Sequence, residues 1–133
     1  MPGLFCSGDA MRGGRLHDNV SAHPFLGAVT TAPLYRMFSV RDAFPALLLT
    51  GEDDGGGAVT GELYDVSLDS IRTEFLPDEP PELELTVIAL DDGRSVLAVG
   101  LRPGVLEAQA AELTDITSFG GWRGYRGLPD PDA

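Results

Sequence analysis

The stretch DITSFGGWRGYR, residues 115–126, holds the only Trp of the chain together with two Arg, two further aromatic residues and three Gly. Trp and Arg side chains are unfavourable without packing or hydrogen-bond partners, and Gly permits close approach of the backbone. The stretch is therefore predicted to fold back and close the core. We interpret Trp122 and Arg123 as a plug at the end of a small barrel, with the wall of a binding pocket as the alternative.

The composition limits both the size and the partners of the protein. A chain of 133 residues with 43% hydrophobic content is long enough to bury a core, and we expect one domain spanning residues 1–133. The net charge of −12 is unsuited to nucleic acid and to anionic membrane surfaces. All nine basic residues are Arg, which excludes Schiff-base chemistry on a Lys.

Few residues are suited to metal or thiol chemistry. The single Cys6 excludes an internal disulfide and a Cys-rich zinc site, and no His or Lys flanks it, which favours a buried position over a nucleophile. His17 and His23 lie six residues apart and match no helical metal pair. We expect no metal and no cofactor. The sequence also has no signal peptide and no apolar run near about 20 residues, so we expect a cytoplasmic protein without membrane contact.

Short alternating apolar segments predict a sheet with few helices. The predicted strands are residues 3–6, 25–32, 34–40, 46–50, 58–66, 83–90 and 95–101. Helices are expected at residues 16–20, 67–75 and 104–113, the second capped by Ser67, and Asp92-Gly93 predicts a hairpin turn. The pattern is typical of an α+β fold whose small mixed sheet is closed or strongly curved, with two or three short helices.

Three stretches, in this order, carry a family resemblance. They are FCSGDAMRGGRL at residues 5–16, TAPLYRMF at residues 31–38 and DITSFGGWRGY at residues 115–125. Together they resemble the γ-glutamylcyclotransferase-like (AIG2-like) family, and most closely the C-terminal domain of allophanate hydrolase. The resemblance covers nearly the whole chain and implies the small barrel fold of that family.

The resemblance also implies a substrate site. Cyclotransferases hold substrate in a Tyr-Gly-Ser loop, of which Ser7 and Gly8 preserve a part, with Phe5 or Cys6 at the position of the Tyr. Several Gly after a strand also favour anion binding by backbone N–H groups, and Arg12 can add a bidentate contact to a carboxylate. We expect one run of loop residues to bind substrate: Ser7, Gly8, Asp9, Ala10, Met11 and Arg12.

The same family uses a Glu as general base. It falls near Asp78 or Glu79 here, and we assign Glu79 as the catalytic carboxylate, because adjacent acids raise each other's pKa toward neutrality. Glu62, in a strand beside Gly61, is the alternative acid. His17, close to the loop, is a second catalytic candidate as a base or hydrogen-bond donor.

The expected site also includes one strand residue, and the chain differs from the resembled family at two positions near the loop. Tyr35 and Arg36 alternate along a strand, so that one of them points into the barrel mouth, and we assign Tyr35 to substrate binding. The allophanate hydrolase domain has a His and an Asn at positions that correspond here to Ala10 and His17.

Two functions follow from these features. The first is a stand-alone enzyme that binds a small amide or urea-like compound bearing a carboxylate and catalyses its amide cleavage, cyclisation or decarboxylation. The alternative is a non-catalytic binding or assembly module that associates with an amidase-type partner or with a second copy of itself.

Overall fold

A computed structural model describes residues 2–132, and its strands form one curled, mixed sheet. The strands are β1 (Gly3–Cys6), β2 (Phe25–Thr30), β3 (Tyr35–Val40), β4 (Phe44–Leu49), β5 (Thr60–Asp65), β6 (Leu83–Ala89), β7 (Ser95–Leu101) and β8 (Leu113–Asp115). Three short helices accompany them: α1 (Leu68–Ser70), α2 (Val105–Ala108) and α3 (Trp122–Arg126). This architecture confirms the predicted α+β class with a strongly curved sheet.

In the curled sheet, β7 pairs with three other strands. The strand order is β2-β5-β1-β7-β4-β3-β8, and β6 also pairs with β7. The parallel contacts of β7 with β1 and β4 are made at different residues, Leu97 and Gly100, so β1 and β4 share one edge of β7. A bridge between Thr31 and Leu90, just after β2 and β6, draws distant parts of the sheet together. The result is a half-barrel.

Two features predicted from local sequence, a helix cap and a hairpin turn, are present in the structure. Ser67 caps α1 by accepting the N–H of Ser70, and α1 continues as a π-helical turn, Ile71–Phe75. The hairpin between β6 and β7 turns at Gly93, whose φ of 90° requires a residue that tolerates the left-handed region.

The helix predicted over residues 104–113 is wrong in its second half. The helix α2 ends at Ala108, a 3₁₀ turn follows over Ala110–Glu112, and β8 then pairs with β3. The paired edge of β3 provides backbone hydrogen bonds for residues 113–115, and this tertiary pairing overrides a weak helical preference. The prediction from local apolar spacing had no access to that partner.

The stretch of residues 115–126 closes the main core. Trp122 is 4% exposed and belongs to the same apolar cluster as Leu4, Phe5 and Tyr64. The backbone must come close here, because a Cβ on Gly121 would lie 2.7 Å from the hydroxyl of Thr60. Burial of Trp122 supports a plug at this end of the core, and Trp122 and Arg123 also line a cavity of about 90 Å³, as the alternative of a pocket wall predicts.

None of the helices within residues 2–132 combines the length and the apolar character needed to cross a membrane.

Candidate functional site

A pocket opens where the segment after β1 meets the turn before β6. We call residues 7–14 the glycine-rich loop and residues 76–80 the acidic turn. Both lie beside β4, around a cavity of about 60 Å³. Its walls combine loop, turn and core side chains: Ser7, Gly8, Asp9, Ala10, Arg15, Leu16, Asp78, Glu79, Pro80, Phe5, Cys6, Phe44, Pro45, Phe75, Leu83 and Val99.

Close packing fixes the shape of the glycine-rich loop. A Cβ on Gly8 would lie 2.8 Å from Cδ of Pro45, and a Cβ on Gly14 would overlap the carbonyl oxygen of Asp9. That oxygen accepts the N–H of Leu16 at 2.9 Å, and the Gly8 carbonyl accepts the N–H of Met11 at 3.1 Å. The loop is therefore held as a compact turn, with its first four residues against the pocket.

Glu79 faces this loop from the acidic turn. Its backbone N–H donates to the carbonyl of Leu76 at 3.0 Å, which ends a 3₁₀ turn and fixes the start of the side chain. Burial, followed by the charges of Asp78 and Asp9, raises the pKa of Glu79 to about 7. A half-buried carboxyl with this pKa exchanges protons readily near neutral pH, as a general base must.

The neighbouring acid is held differently. The side-chain amide of Asn19 donates to Oδ2 of Asp78 at 2.9 Å and anchors the acidic turn to the segment after the loop. Glu79, by contrast, has no side-chain hydrogen bond or ion pair with any of residues 2–132. Of these two adjacent acids, Glu79 is the one whose carboxyl group has no side-chain partner in the described residues.

The pocket also offers donors and one cationic side chain. Across the described chain, the backbone N–H groups of Gly8, Asp9 and Ala10 have no protein acceptor. Such consecutive N–H groups at a Gly-rich turn favour an anionic or carbonyl oxygen. Arg15 is 75% exposed at the rim, with its Nη2 3.5 Å from Oδ2 of Asp9. Within residues 2–132, no group of three or more His, Cys, Asp and Glu side chains is arranged to hold a metal ion.

Cys6 contributes its side chain to the pocket wall as a buried thiol. Burial, with smaller contributions from the charges of Glu79 and Glu62, raises the pKa of Cys6 well above its usual range. The thiolate is the nucleophilic form, so this environment disfavours nucleophilic catalysis. The position agrees with the predicted core location of Cys6.

Glu62, the alternative acid, is completely buried in an ion-pair cluster. Its Oε1 accepts the backbone N–H of Arg12 at 2.8 Å and the hydroxyl of Tyr64 at 2.9 Å. Its Oε2 accepts Nε of Arg12 at 2.8 Å and Nη2 of Arg123 at 3.1 Å. Burial alone raises the pKa of Glu62, but the hydrogen bonds outweigh it and hold the pKa below its ordinary value. Glu62 is thus a charged structural anchor for the loop.

The guanidinium edge of Arg12 formed by Nη1 and Nη2 points away from the Glu62 cluster. Nη1 and Nη2 donate to the two carboxylate oxygens of Asp132 at 3.0 and 2.8 Å, and the guanidinium lies 4.3 Å from the ring centre of Phe25. A second cavity of about 90 Å³ adjoins Arg12 on this side. Met11 and Arg12 line this second cavity rather than the pocket of Glu79.

His17 and Tyr35 lie outside both cavities. Nδ1 of His17 is 2.9 Å from the carbonyl oxygen of Ala10, a contact that requires a proton on Nδ1 and supports the loop. The hydroxyl of Tyr35 accepts the N–H of Ala89 at 2.8 Å and ties β3 to β6, beside a third cavity of about 170 Å³ between β4 and β6. The structure therefore brings together Glu79 and the first four loop residues, and places the other predicted residues elsewhere.

Sequence reasoning missed the contribution of β4 to the pocket. Phe44 and Pro45 form one wall, although they lie far from the loop and the acidic turn in sequence. The parallel pairing of β4 with β7 brings them to the pocket, and no local sequence motif predicts this pairing. Arg15 also lines the pocket and was not among the predicted site residues, although it lies only one residue beyond the glycine-rich loop.

A curled half-barrel with a Gly-rich loop after its first strand defines a protein of the γ-glutamylcyclotransferase-like (AIG2-like) fold. An AIG2-like protein from Mus musculus is 21% identical, with a TM-score of 0.64 over 100% of this chain and 99% of that chain. Residues 3–127 match the allophanate hydrolase C-terminal domain, and the chain belongs to that family.

Two further solved structures are similar over almost the whole chain. A uropathogenic E. coli-specific protein is 30% identical, with a TM-score of 0.85 over 97% of this chain and 98% of that chain. Allophanate hydrolase from Kluyveromyces lactis is 23% identical, with a TM-score of 0.83 over 95% of this chain but only 21% of that chain. No curated protein matches the sequence.

Proposed function

We propose that the pocket between the glycine-rich loop and the acidic turn is an active site for small amides or urea-like compounds that carry a carboxylate. The observation that carries this proposal is Glu79, a half-buried acid without a protein partner in residues 2–132, with its pKa raised to about 7. Membership of a family named after an amide-cleaving enzyme supports the reaction class.

In this proposal Glu79 moves one proton through an acyl-transfer step. Its carboxylate accepts the proton of the attacking nucleophile, a water molecule for cleavage or an amine of the substrate for cyclisation. A bond forms to the amide carbon, and the carbonyl electrons move onto oxygen. The electrons on that oxygen then re-form the carbonyl, the C–N bond breaks, and Glu79 returns the proton to the leaving nitrogen. A positioned acid or base of this kind contributes about 10²–10⁴ in rate.

The other pocket groups are assigned to binding. The N–H groups of Gly8, Asp9 and Ala10 stabilise the developing oxyanion, for which preorganised donors are effective. The carboxylate of the substrate faces Arg15, since Asp9, Asp78 and Glu79 make the rest of the rim unfavourable for a second anion. Ala10 brings no imidazole, so proton transfer in the pocket depends on Glu79.

Enzyme assays with two probes test this function. Hydantoate is a urea and malonamate an amide, and each carries a carboxylate. We expect turnover of at least one, reduced about 100-fold or more in Glu79→Gln. Glu107→Gln, an exposed acid on α2, is the matched control and should match the wild type. Activity retained in Glu79→Gln would refute the assignment.

A second candidate function, assembly with a partner, is favoured by a relative that is a much longer protein. The chain corresponds to only 21% of Kluyveromyces lactis allophanate hydrolase, so a similar fold serves there as one part of a longer enzyme. An assembly role would bring this chain to a separate amidase-type protein. Affinity capture under native conditions followed by mass spectrometry tests it: a stoichiometric amidase supports the assembly role, and recovery of this chain alone opposes it.

A further inference from the structure

On the face of the glycine-rich loop away from Glu79, Arg12 is fixed in place before any ligand arrives. Its backbone N–H and Nε bind the buried Glu62, and its guanidinium stacks on Phe25. Arg123 braces the same residue by donating to the carbonyl oxygen of Arg12 at 2.9 Å. The planar fork therefore presents Nη1 and Nη2 outward in one orientation, which suits bidentate recognition of a carboxylate.

The group that occupies this fork belongs to a lightly held segment. Asp132 offers both carboxylate oxygens to Arg12, yet its side chain is 52% exposed. Residues 128–132 form neither helix nor strand, and Leu128 and Pro129 merely line the adjoining cavity of about 90 Å³. An ion pair this exposed is weakly favourable in water, so a free anion can compete with it.

Charge at this face changes when Asp132 leaves. Arg12 and Arg123 are balanced by Glu62 and Asp132 in the observed arrangement. Loss of the Asp132 contact leaves one uncompensated positive charge beside an open cavity, on a protein whose net charge is −12. A carboxylate ligand restores the balance.

We propose that the outer edge of Arg12 is a carboxylate-binding site, occupied in cis by Asp132 until a small carboxylate ligand displaces it. This site is separate from the proposed function, because Glu79 lies on the other side of the loop and contributes nothing to the fork. Asp132 acts as an internal competitor: a tethered group has an effective concentration on the order of millimolar, which weakens binding of a free ligand.

Titration with malonate, followed by NMR, tests this site. Asp132→Asn removes the competitor and retains the size of the side chain. Asp53→Asn changes the net charge equally in an exposed 3₁₀ turn and is the matched control. Because an exposed pair is worth about 0.2–1 kcal/mol, we expect Asp132→Asn to bind malonate about two- to sixfold more tightly than the wild type and the control. The largest shift changes should fall on Arg12 Nε–H and on the amides of Gly13 and Gly14.

A double variant tests whether the gain in malonate affinity depends on the Arg12 guanidinium. Adding Arg12→Lys to Asp132→Asn keeps the positive charge but removes the fork, and the gain should disappear while the amide spectrum stays dispersed. Equal affinity in Asp132→Asn and Asp53→Asn would overturn the proposal, as would shift changes confined to Ser7 and Ala10, which line only the pocket of Glu79. Glu79→Gln should leave malonate binding at Arg12 unchanged, so the two proposals fail separately.

Discussion

Arg12 donates to both carboxylate oxygens of Glu62, from its backbone N–H and from its Nε, each at 2.8 Å. This contact joins the glycine-rich loop to β5 and satisfies an acid that is completely buried. It also separates the roles of two acids near the loop. Glu62 is held charged by its partners, whereas Glu79 is left without one in the described residues and has its pKa raised.

Removing the charge of Glu62 should destabilise the whole fold. Glu62→Gln leaves Arg12 and Arg123 without their buried counter-charge, and breaking a buried ion pair in this way costs about 3–5 kcal/mol. Urea denaturation followed by circular dichroism measures the free energy of unfolding. Glu107→Gln, at an exposed position, should change it little. Equal stability of the two variants would show that the Glu62 cluster does not anchor the loop.

The free energy of unfolding should depend on pH through Glu79. Its pKa is raised in the folded state to about 7, from about 4.3 for an unfolded chain. The folded state therefore favours the protonated form, and this stabilisation is complete below about pH 4.3 and lost as the pH rises through 7. The shift corresponds to at most about 4 kcal/mol.

Comparison of the wild type with Glu79→Gln isolates this contribution. Between pH 4.5 and 7.5 the wild type should lose stability relative to the variant, because Gln does not titrate. Thermal or urea unfolding at several pH values measures the difference. A constant difference across that window would mean that Glu79 titrates as an ordinary exposed acid.

Gly14 and Gly13 should respond differently to the same substitution. A Cβ on Gly14 would overlap the carbonyl of Asp9, so Gly14→Ala should displace the loop and weaken ligand binding in the pocket. Gly13 has open space around it but a φ of 86°, so Gly13→Ala should cost about 1–2 kcal/mol from backbone strain alone. Amide NMR spectra report loop displacement. Similar spectra for both variants would contradict the packing account.

Trp122 should contribute mainly to the free energy of unfolding and little to ligand binding in the pocket of Glu79. Trp122→Ala removes a large side chain from the main core, a change that costs about 3–5 kcal/mol. Thermal unfolding should show the loss. Ligand affinity in the pocket of Glu79, which Trp122 does not line, should be close to that of the wild type at a temperature where the variant remains folded. Normal stability with abolished binding would instead identify Trp122 as a binding residue.

The sequence carried enough local information for most of the fold. Alternating apolar residues, the Ser67 cap and the turn at Gly93 depend on neighbours in the chain, and the structure confirms them. The strand β8 was missed because its stability comes from pairing with β3, far away in sequence. Local sequence patterns do not predict pairing between strands that are far apart in the chain.

The candidate site was predictable only in outline. The Gly-rich segment and the acid at Glu79 were recognised from family motifs, and they line one pocket. The position of Arg12 was not foreseeable, because a fork suited to a ligand is equally suited to Glu62 and Asp132. The sequence showed which residues are capable of the chemistry, whereas three-dimensional packing decided which remain free for it.

The most direct test of the account is the pKa of Glu79 itself. A ¹³C NMR titration of the side-chain carboxyl groups, with the Glu79 resonance assigned by its loss in Glu79→Gln, measures that pKa in the folded protein. We expect a midpoint of about 7. A midpoint near 4.3, the ordinary value for Glu, would contradict the assignment of Glu79 as a general base.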